Sequence, residues 1–202
     1  MSQRSFVQAA HRLITERITA VYALDDRQPA SVTIRRGSGS CSQRLAVLEA
    51  VARSRGIPTR VRGLFVDGSF WYPRFPRLRA LVPRIVVLAW PEFLLDGEWV
   101  GAGELFGPVV ALPVGSAAFT NADGETLFDA VARSAVDWDG VTSSPGSGSS
   151  CDLSAVVRGD AGYFRDRDAL FDAPGQPLCP PALVIGDRFM RRRRVVGGVV
   201  HA

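Results

Sequence analysis

The segment GSGSCSQRLAVLEAVARSRGIP, residues 37–58, contains the start and stop signals of one helix. Ser40 and Gln43 have the spacing of a capping box, in which the two side chains satisfy backbone amides of the first turn. Gly56 and then Pro58 are typical of a helix end. Between these signals, apolar residues recur with the helical period: Leu45, Leu48, Val51 and Ala52. The sequence therefore predicts a helix whose first residue is Cys41.

The segments on either side of this helix predict a further helix and several antiparallel strands. Residues 5–23 have helical spacing and begin with a Ser5–Gln8 capping box. Residues 60–66 and 84–95 are typical of strands. Asp96-Gly97 predicts a tight hairpin to a strand that opens at Trp99, because Asp-Gly between apolar runs favours this turn. Two helices followed by a meander of strands predict an α+β fold.

The C-terminal part of the chain has weaker patterns. Residues 109–114 predict another strand, and residues 125–135 predict a helix with one apolar face. Residues 141–150 are rich in Ser and Gly, which predicts a flexible loop. Residues 151–202 are too few to fold alone, so we expect them to dock on the rest of the chain. The expected organisation is a core over 1–140, a loop over 141–150 and a C-terminal appendage over 151–202.

The composition excludes several classes of protein. The 202 residues are 47% hydrophobic and 22% charged, which is typical of a globular domain and not of a disordered chain. No apolar run approaches the roughly 20 residues of a membrane span, and the N-terminus lacks a signal-peptide pattern. We therefore expect a cytoplasmic protein without membrane contact. Three cysteines without CxxC spacing indicate neither a disulfide framework nor a zinc site. We expect Cys151 and Cys179 to be structural, and no metal or cofactor to be needed.

The positive charge of the chain comes from arginine alone. All 24 basic residues are Arg, and the net charge is +4. Codon bias in a GC-rich genome explains this preference, since Ala, Gly, Val and Pro are also frequent. Arginine also binds carboxylates and phosphates through its planar fork. The hypothesis of an anionic substrate or an acidic partner therefore stays open. The cluster Arg191–Arg194 is typical of a solvated tail, and we do not expect nucleic-acid binding because no aromatic residues are interleaved with it.

Two motifs together resemble the transglutaminase-like branch of the papain-like cysteine enzymes. The first is the segment around Cys41 with its helix, which ends in the Gly-Ile-Pro-x-Arg pattern of residues 56–60. The second is LAWPEFLLDGEWV, residues 88–100. It is similar to the family's hairpin, in which a catalytic histidine precedes Ala-Trp and an aspartate follows the second tryptophan. The resemblance covers residues 37–105 and implies a papain-like α+β core, with the nucleophile helix packed on an antiparallel sheet.

The same resemblance implies that the Cys-His-Asp triad is degenerate. Cys41 matches the family's nucleophile, but Leu88 stands at the histidine position. Gly103 stands at the aspartate position, and Glu104 matches it only after a one-residue slip. The two histidines of the chain lie elsewhere, one in the first predicted helix and one next to the C-terminus. Cys41 is therefore the one member of the triad that the sequence retains.

A cysteine at a helix N-terminus keeps part of the chemistry. Unpaired amides and the helix dipole stabilise a thiolate and an oxyanion. Without an imidazole, no group is placed to protonate a departing amine, which argues against proteolysis, deamidation and transamidation. Thioester exchange, or a cyclisation that needs only a shaped pocket, does not require this proton donor. Alternate strand residues share a face, which places Leu88, Trp90 and Glu92 on one side of their strand. The resemblance implies that the hairpin packs against the Cys41 helix, so Cys41 is expected to face an apolar wall that includes Leu88 and Trp90, with Glu92 at its far end.

These observations leave two functions open. The first is a diverged bacterial transglutaminase-like enzyme of specialised metabolism, acting on a small or carrier-tethered apolar substrate by thiol-dependent acyl transfer or cyclisation. Cys41 is then the nucleophile or a polar anchor, and Glu92 is the group that handles protons. The expected substrate-binding residues are Leu88, Trp90, Trp71 and Tyr72. A carrier-protein partner would be acidic, to complement the arginine-rich surface.

The second function is that of a catalytically inactive transglutaminase-like binding or scaffold protein. In this alternative, Cys41 is an inert buried thiol and Leu88 fills the site by core packing. Glu92 is then a hydrogen-bonded strand residue, and Trp71 and Tyr72 are core aromatics. The enzyme is the leading hypothesis from the sequence and the inactive protein is its alternative, and the sequence gives no indication of the oligomeric state.

Overall fold

The computed structural model describes residues 1–23, 26–76, 79–108, 119, 121, 124–140 and 150–173. Several expectations from the sequence lie outside these residues. They are the strand at 109–114, the loop at 141–150 except its last residue, Cys179, the cluster Arg191–Arg194 and His201. Within the described part of the chain, no helix is long and apolar enough to cross a membrane.

The described residues form five helices and eight strands. Four 3₁₀ turns connect them, at Gly68–Trp71, Arg79–Leu81, Ala102–Glu104 and Ser154–Val156. In chain order the elements are α1 (Gln3–Arg17), β1 (Thr19–Ala20), α2 (Ala30–Arg36), β2 (Ser38–Gly39), α3 (Cys41–Ser54), β3 (Thr59–Asp67), β4 (Ile85–Leu95), β5 (Glu98–Gly101), α4 (Leu127–Ala130), β6 (Ala135–Asp137), β7 (Ser150–Asp152), β8 (Val157–Phe164) and α5 (Arg167–Asp172).

A four-stranded antiparallel sheet in the order β5-β4-β3-β8 forms the framework of the fold. The predicted hairpin between β4 and β5 is confirmed, with φ angles of 54° at Asp96 and 91° at Gly97. Positive values at both residues are what a type I′ turn requires. The outer strand β8 comes from the segment predicted to be an appendage, and it pairs with β3 along most of its length. The α+β prediction is confirmed.

The helix that begins at Cys41 is the centre of the fold. Its predicted capping box is present: the Ser40 hydroxyl accepts from the Gln43 amide at 3.2 Å, and Oε1 of Gln43 accepts from the Ser40 amide at 3.1 Å. Residues 42–49 of α3 are all buried, so protein surrounds this helix on every side. It packs against α1, α2, α4 and β4.

The predicted first and last residues of the other helices are wrong. The N-cap of α1 is Ser2, which accepts from the Ser5 amide, and Ser5 does not cap the helix. The helix ends at Arg17 rather than near residue 23 because β1 leaves it to pair in parallel with β2. The sequence reading did not anticipate α2. The helix predicted over 125–135 is one turn, α4, capped by Thr126 and followed by β6.

A buried ion pair ties α5 to the central helix and to the sheet. Nε of Arg167 lies 2.7 Å from Oε1 of Glu49, and both side chains are almost completely buried. The same guanidinium donates to the Ser42 hydroxyl at 2.8 Å and to the Ala89 carbonyl at 3.3 Å. Residues near the C-terminal end of the described chain are therefore joined to α3 and β4 by a charge that has little contact with water.

We expect Arg167→Met to destabilise the protein by about 3 kcal/mol, because it leaves the buried Glu49 carboxylate without its main partner. Arg53, at 3.5 Å from Glu49, compensates only in part. Urea denaturation monitored by circular dichroism measures the change. The matched control is Arg165→Gln, which removes an exposed pair with Asp166 and should cost less than about 0.5 kcal/mol. Equal stabilities of the two variants would contradict the assigned role of Arg167.

Candidate functional site

Cys41 lies where two helix N-termini meet. It is the first residue of α3, directly after the N-cap Ser40. The residue is partly buried and packs against the main hydrophobic core. The backbone of Phe128, in the only turn of α4, lies near enough to the thiol to lower its pKa. The cysteine therefore has amide donors near it from two elements that are far apart in the sequence.

Burial decides the protonation state of this thiol. Desolvation is the largest effect, and it raises the pKa of Cys41 to about 12. The positive charge of Arg44 and the Phe128 backbone favour the thiolate, but they do not outweigh desolvation. Cys41 is therefore a neutral thiol at pH 7, in contrast to the depressed pKa that a helix N-terminus alone would produce.

A buried salt bridge next to the cysteine holds α4 against α3. Arg44 is buried, and its guanidinium forms two hydrogen bonds to the Asp129 carboxylate, at 2.7 and 3.1 Å. Although desolvation opposes ionisation, the hydrogen bonds from Arg44 and Thr126 hold the pKa of Asp129 below its usual value. The Arg44 guanidinium also lies 4.3 Å from the centroid of the Phe128 ring. This bridge fixes the position of the backbone that contacts the thiol.

His11 reaches the same residue of α4 as Cys41 does. Its Nε2 lies 2.6 Å from the Phe128 carbonyl oxygen, so this nitrogen carries the proton, and its ring stacks on the Phe128 ring at 4.2 Å. Nδ1 is buried and has no hydrogen-bond partner. Burial lowers the pKa of His11, so the imidazole is neutral. The sequence reading assigned no role to His11, although a histidine on the buried face of α1, between Ala10 and Ile14, is a signal for it.

Leu88 and Trp90 are core residues of β4. Both are buried in the same hydrophobic cluster against which Cys41 and Trp71 pack. Val87 and Ala89 belong instead to a second cluster, together with residues of α5, which is the alternation expected along a strand. The structure thus brings Leu88 and Trp90 into the core that Cys41 contacts. Their predicted role as substrate-binding residues stays a prediction.

Glu92 is ion-paired within the sheet. Its carboxylate lies 2.6 Å from Nη2 and 2.7 Å from Nε of Arg60. The Arg60 guanidinium lies between two aromatic rings, 4.3 Å from the centroid of Trp99 and 3.9 Å from that of Tyr163. These four residues come from β5, β4, β3 and β8, so they form a ladder across the whole sheet. This arrangement supports the structural alternative for Glu92.

Trp71 and Tyr72 lie in the short segment that follows β3. Trp71 ends the 3₁₀ turn, and its ring packs edge-on against Phe70 with the centroids 4.7 Å apart. Tyr72 is partly buried, and the guanidinium of Arg79 lies 5.5 Å from its ring centroid. Both aromatics keep some exposure. In the described parts of the chain, no group of three or more His, Cys, Asp or Glu side chains could hold a metal ion.

Gly103 has no space for a side chain. A Cβ atom at this position would lie 2.7 Å from the Val136 carbonyl oxygen and 3.2 Å from Cζ2 of Trp90. The backbone of the 102–104 turn therefore approaches β6 as closely as glycine allows. An aspartate at this position would require the sheet and β6 to separate. Glu104 belongs to the same turn, and its carbonyl accepts from Arg4 at 3.2 Å.

Comparison with known proteins identifies one family. The model of the transglutaminase-like superfamily matches residues 1–102, about half of the chain. The match spans α1 to β5 and includes Cys41, Leu88 and Glu92. No curated protein and no solved structure matches the chain.

We expect Gly103→Ala to lower the free energy of unfolding by about 1–3 kcal/mol, because the new methyl group collides with the Val136 backbone. Gly107→Ala is the matched control, since a Cβ at Gly107 meets nothing within 4 Å. Urea denaturation of both variants measures the difference. An unchanged stability of Gly103→Ala would contradict the close approach.

The same lack of space means that Leu88→His combined with Gly103→Asp should not create amide-hydrolysing activity.

Proposed function

Because the chain belongs to the transglutaminase-like superfamily, we propose that it is a catalytically inactive member, which binds a small or carrier-tethered apolar molecule without amide chemistry. The observation that carries this proposal is the packing of Leu88 in the hydrophobic core, at the position that the sequence resemblance assigns to the family's histidine. The coarser statement, membership of the superfamily, does not depend on the proposal.

Amide hydrolysis needs two proton transfers that these residues do not support. A base must remove the proton of the attacking thiol, and an acid must protonate the departing amine. Leu88 can do neither, and Gly103 has no space for the carboxylate that would orient an imidazole. The carboxylate of Glu92 is engaged by Arg60. The site therefore supports binding better than bond cleavage.

The state of the thiol supports the same conclusion. With a pKa of about 12, Cys41 is ionised to about one part in 10⁵ at pH 7, since each pH unit below the pKa reduces the thiolate tenfold. The thiolate is the nucleophilic form of cysteine. A thiol in this state, beside two sets of backbone amides, suits contact with a polar group of a ligand better than attack on it.

A second candidate is the thiol-dependent acyl transfer or cyclisation expected of a bacterial enzyme of specialised metabolism. The observation that favours it is the partial exposure of Cys41 at the start of α3, where backbone amides could hold the oxyanion of a thioester. Thioester exchange balances without an added base. The Cys41 sulfur bonds to the acyl carbon, the old carbon–sulfur bond breaks, and the Cys41 proton passes to the departing sulfur.

Other features of the proposed function rest on the sequence. We propose that the ligand is a small molecule or an acyl group on an acidic carrier protein, and that nucleic acid is not a partner. The division into a core over 1–140, a loop over 141–150 and an appendage over 151–202 is part of the same proposal. A cytoplasmic location stays a prediction.

We expect Cys41 in the native protein to react with iodoacetamide about 100-fold more slowly at pH 8 than in the urea-denatured protein. The low thiolate fraction outweighs the greater nucleophilicity of a thiolate with a high pKa. Peptide-resolved mass spectrometry over pH 6–10 measures the rate, which should rise about tenfold per pH unit without a plateau. A rate that reaches a plateau between pH 6 and 8 would show a stabilised thiolate and would refute the proposal.

Incubation with the N-acetylcysteamine thioester of phenylacetic acid separates the two candidates. The binding proposal predicts no acyl adduct on Cys41 beyond that found for the urea-denatured chain, because the native thiol is protonated. Intact-protein mass spectrometry measures the adduct, with Cys41→Ser as the control for acylation elsewhere. A stoichiometric adduct that needs the native fold and Cys41 would establish the second candidate and overturn the first. Loss of that adduct in Glu92→Gln would then assign the proton-handling role to Glu92.

A further inference from the structure

In the described part of the chain, the half-buried guanidinium of Arg74 lacks an anionic partner. Arg74 lies in the segment after the 68–71 turn, and its Nε donates to Oδ1 of Asn121 at 2.7 Å. Its Nη2 is buried and has no hydrogen-bond acceptor. Among the described residues, no carboxylate lies within ion-pair distance of this side chain.

This arrangement differs from that of the other arginines whose charge is wholly or partly removed from water. Four of those guanidinium groups contact a carboxylate at 2.6–2.8 Å: Arg44 with Asp129, Arg60 with Glu92, Arg62 with Asp139 and Asp160, and Arg167 with Glu49. Nε of Arg44 has no acceptor, but its other two nitrogens bind Asp129. The partly buried Arg4 donates instead to the carbonyls of Glu104 and Leu105, both at 3.2 Å. A buried donor of a charged group without a partner is costly. Arg74 is therefore the guanidinium in the described chain that is best placed to accept an anion from outside.

Asn121 holds this guanidinium in a fixed orientation. The Asn121 side chain accepts from Arg74 and donates to the Phe70 carbonyl at 2.6 Å. Its backbone has φ of 56°, a left-handed conformation that is uncommon for a residue other than glycine. The residue is buried, so the two hydrogen bonds are protected from water. The planar fork of Arg74 is thus oriented before any ligand arrives, as a binding site for a carboxylate or phosphate requires.

The surroundings of Arg74 are aromatic and adjoin the start of α3. The ring of Phe75, the next residue, packs edge-on against Tyr22 with the centroids 4.7 Å apart. The amide of Val21, the residue before Tyr22, donates to the carbonyl of Gly39 at 3.1 Å. The segment around Arg74 therefore packs against the chain that leads into Cys41, and Phe70 and Trp71 lie on the same segment.

We propose that Arg74 binds the oxyanion group, a carboxylate or a phosphate, of an aromatic small molecule whose apolar part packs on residues 70–75. This inference deepens the proposed binding function. It rests on one part of that function, the binding of a small molecule by this chain. Nη2 has no accessible surface in the free chain, so a two-pronged contact requires the neighbouring side chains to shift. The anion then supplies the acceptor that Nη2 lacks.

Isothermal titration of the full chain with four probes tests the proposal. Phenyl phosphate and phenylacetate present the two anions on an aromatic body, phenylacetamide is the neutral analogue, and inorganic phosphate lacks the body. We expect saturable binding of phenyl phosphate or phenylacetate, at least tenfold tighter than that of phenylacetamide and of inorganic phosphate. The tighter of the two aromatic anions identifies the natural anionic group as a phosphate or a carboxylate.

Three variants assign the binding to Arg74. Arg74→Gln should lower the affinity for the tighter probe at least tenfold. Arg74→Lys should lower it less, because the positive charge is kept although the planar fork is lost. Arg79→Gln is the matched control: it removes one exposed positive charge near the same segment without a bond to Asn121, and it should change affinity less than twofold. Circular dichroism and urea denaturation show that each variant is folded.

Absence of saturable binding by the wild-type chain overturns the proposal. Equal loss of affinity in Arg74→Gln and Arg79→Gln also overturns it, because diffuse charge would then account for the binding. Rapid alkylation of Cys41 together with Arg74-dependent binding would refute the inactive-protein proposal and leave this inference in place. Slow alkylation of Cys41 without saturable binding would refute this inference and leave the inactive-protein proposal in place.

Discussion

The buried charge of Arg44 is the constraint on which the candidate site depends. A guanidinium inside the protein must be paired, and its partner, Asp129, belongs to an element that is distant in sequence. Pairing therefore draws α4 onto the start of α3. This contact brings the Phe128 backbone to the Cys41 thiol and removes most of the water around it. The salt bridge thus supplies amide donors to the sulfur and, through the desolvation it causes, keeps the sulfur protonated.

Amide donors lower the pKa of a cysteine and desolvation raises it. A position at a helix N-terminus is therefore not enough to predict the reactivity of a cysteine. The dipole and the free amides of a helix N-terminus act most strongly on a thiolate when water is excluded. Exclusion of water also raises the free energy of the thiolate itself. In this chain desolvation has the larger effect on Cys41, although Arg44 is close to the sulfur. A base that shares the proton would change the balance, and Leu88 provides none.

Local signals in the sequence predict the parts of this fold that local interactions determine. The capping box of Ser40 and the Asp96-Gly97 turn each depend on a few neighbouring residues, and both were predicted correctly. The end of α1 depends on the pairing of β1 with β2, which no local pattern reveals. The position of β8 beside β3 is likewise set by contacts between residues about a hundred positions apart. The family resemblance supplied the α+β core, but it could not show how tightly Gly103 approaches β6.

The site residues that the sequence did not predict share a physical feature: each acts through a partner that is remote in the chain. His11 contacts Phe128, and Arg74 contacts Asn121. If folding were the only requirement, an apolar side chain of similar size would serve at position 74 at least as well, since burying an unpaired donor is unfavourable. The left-handed backbone of Asn121 adds a further cost. An anion that satisfies Nη2 would offset both costs in the bound state, whereas Arg44 has its carboxylate, Asp129, within the fold.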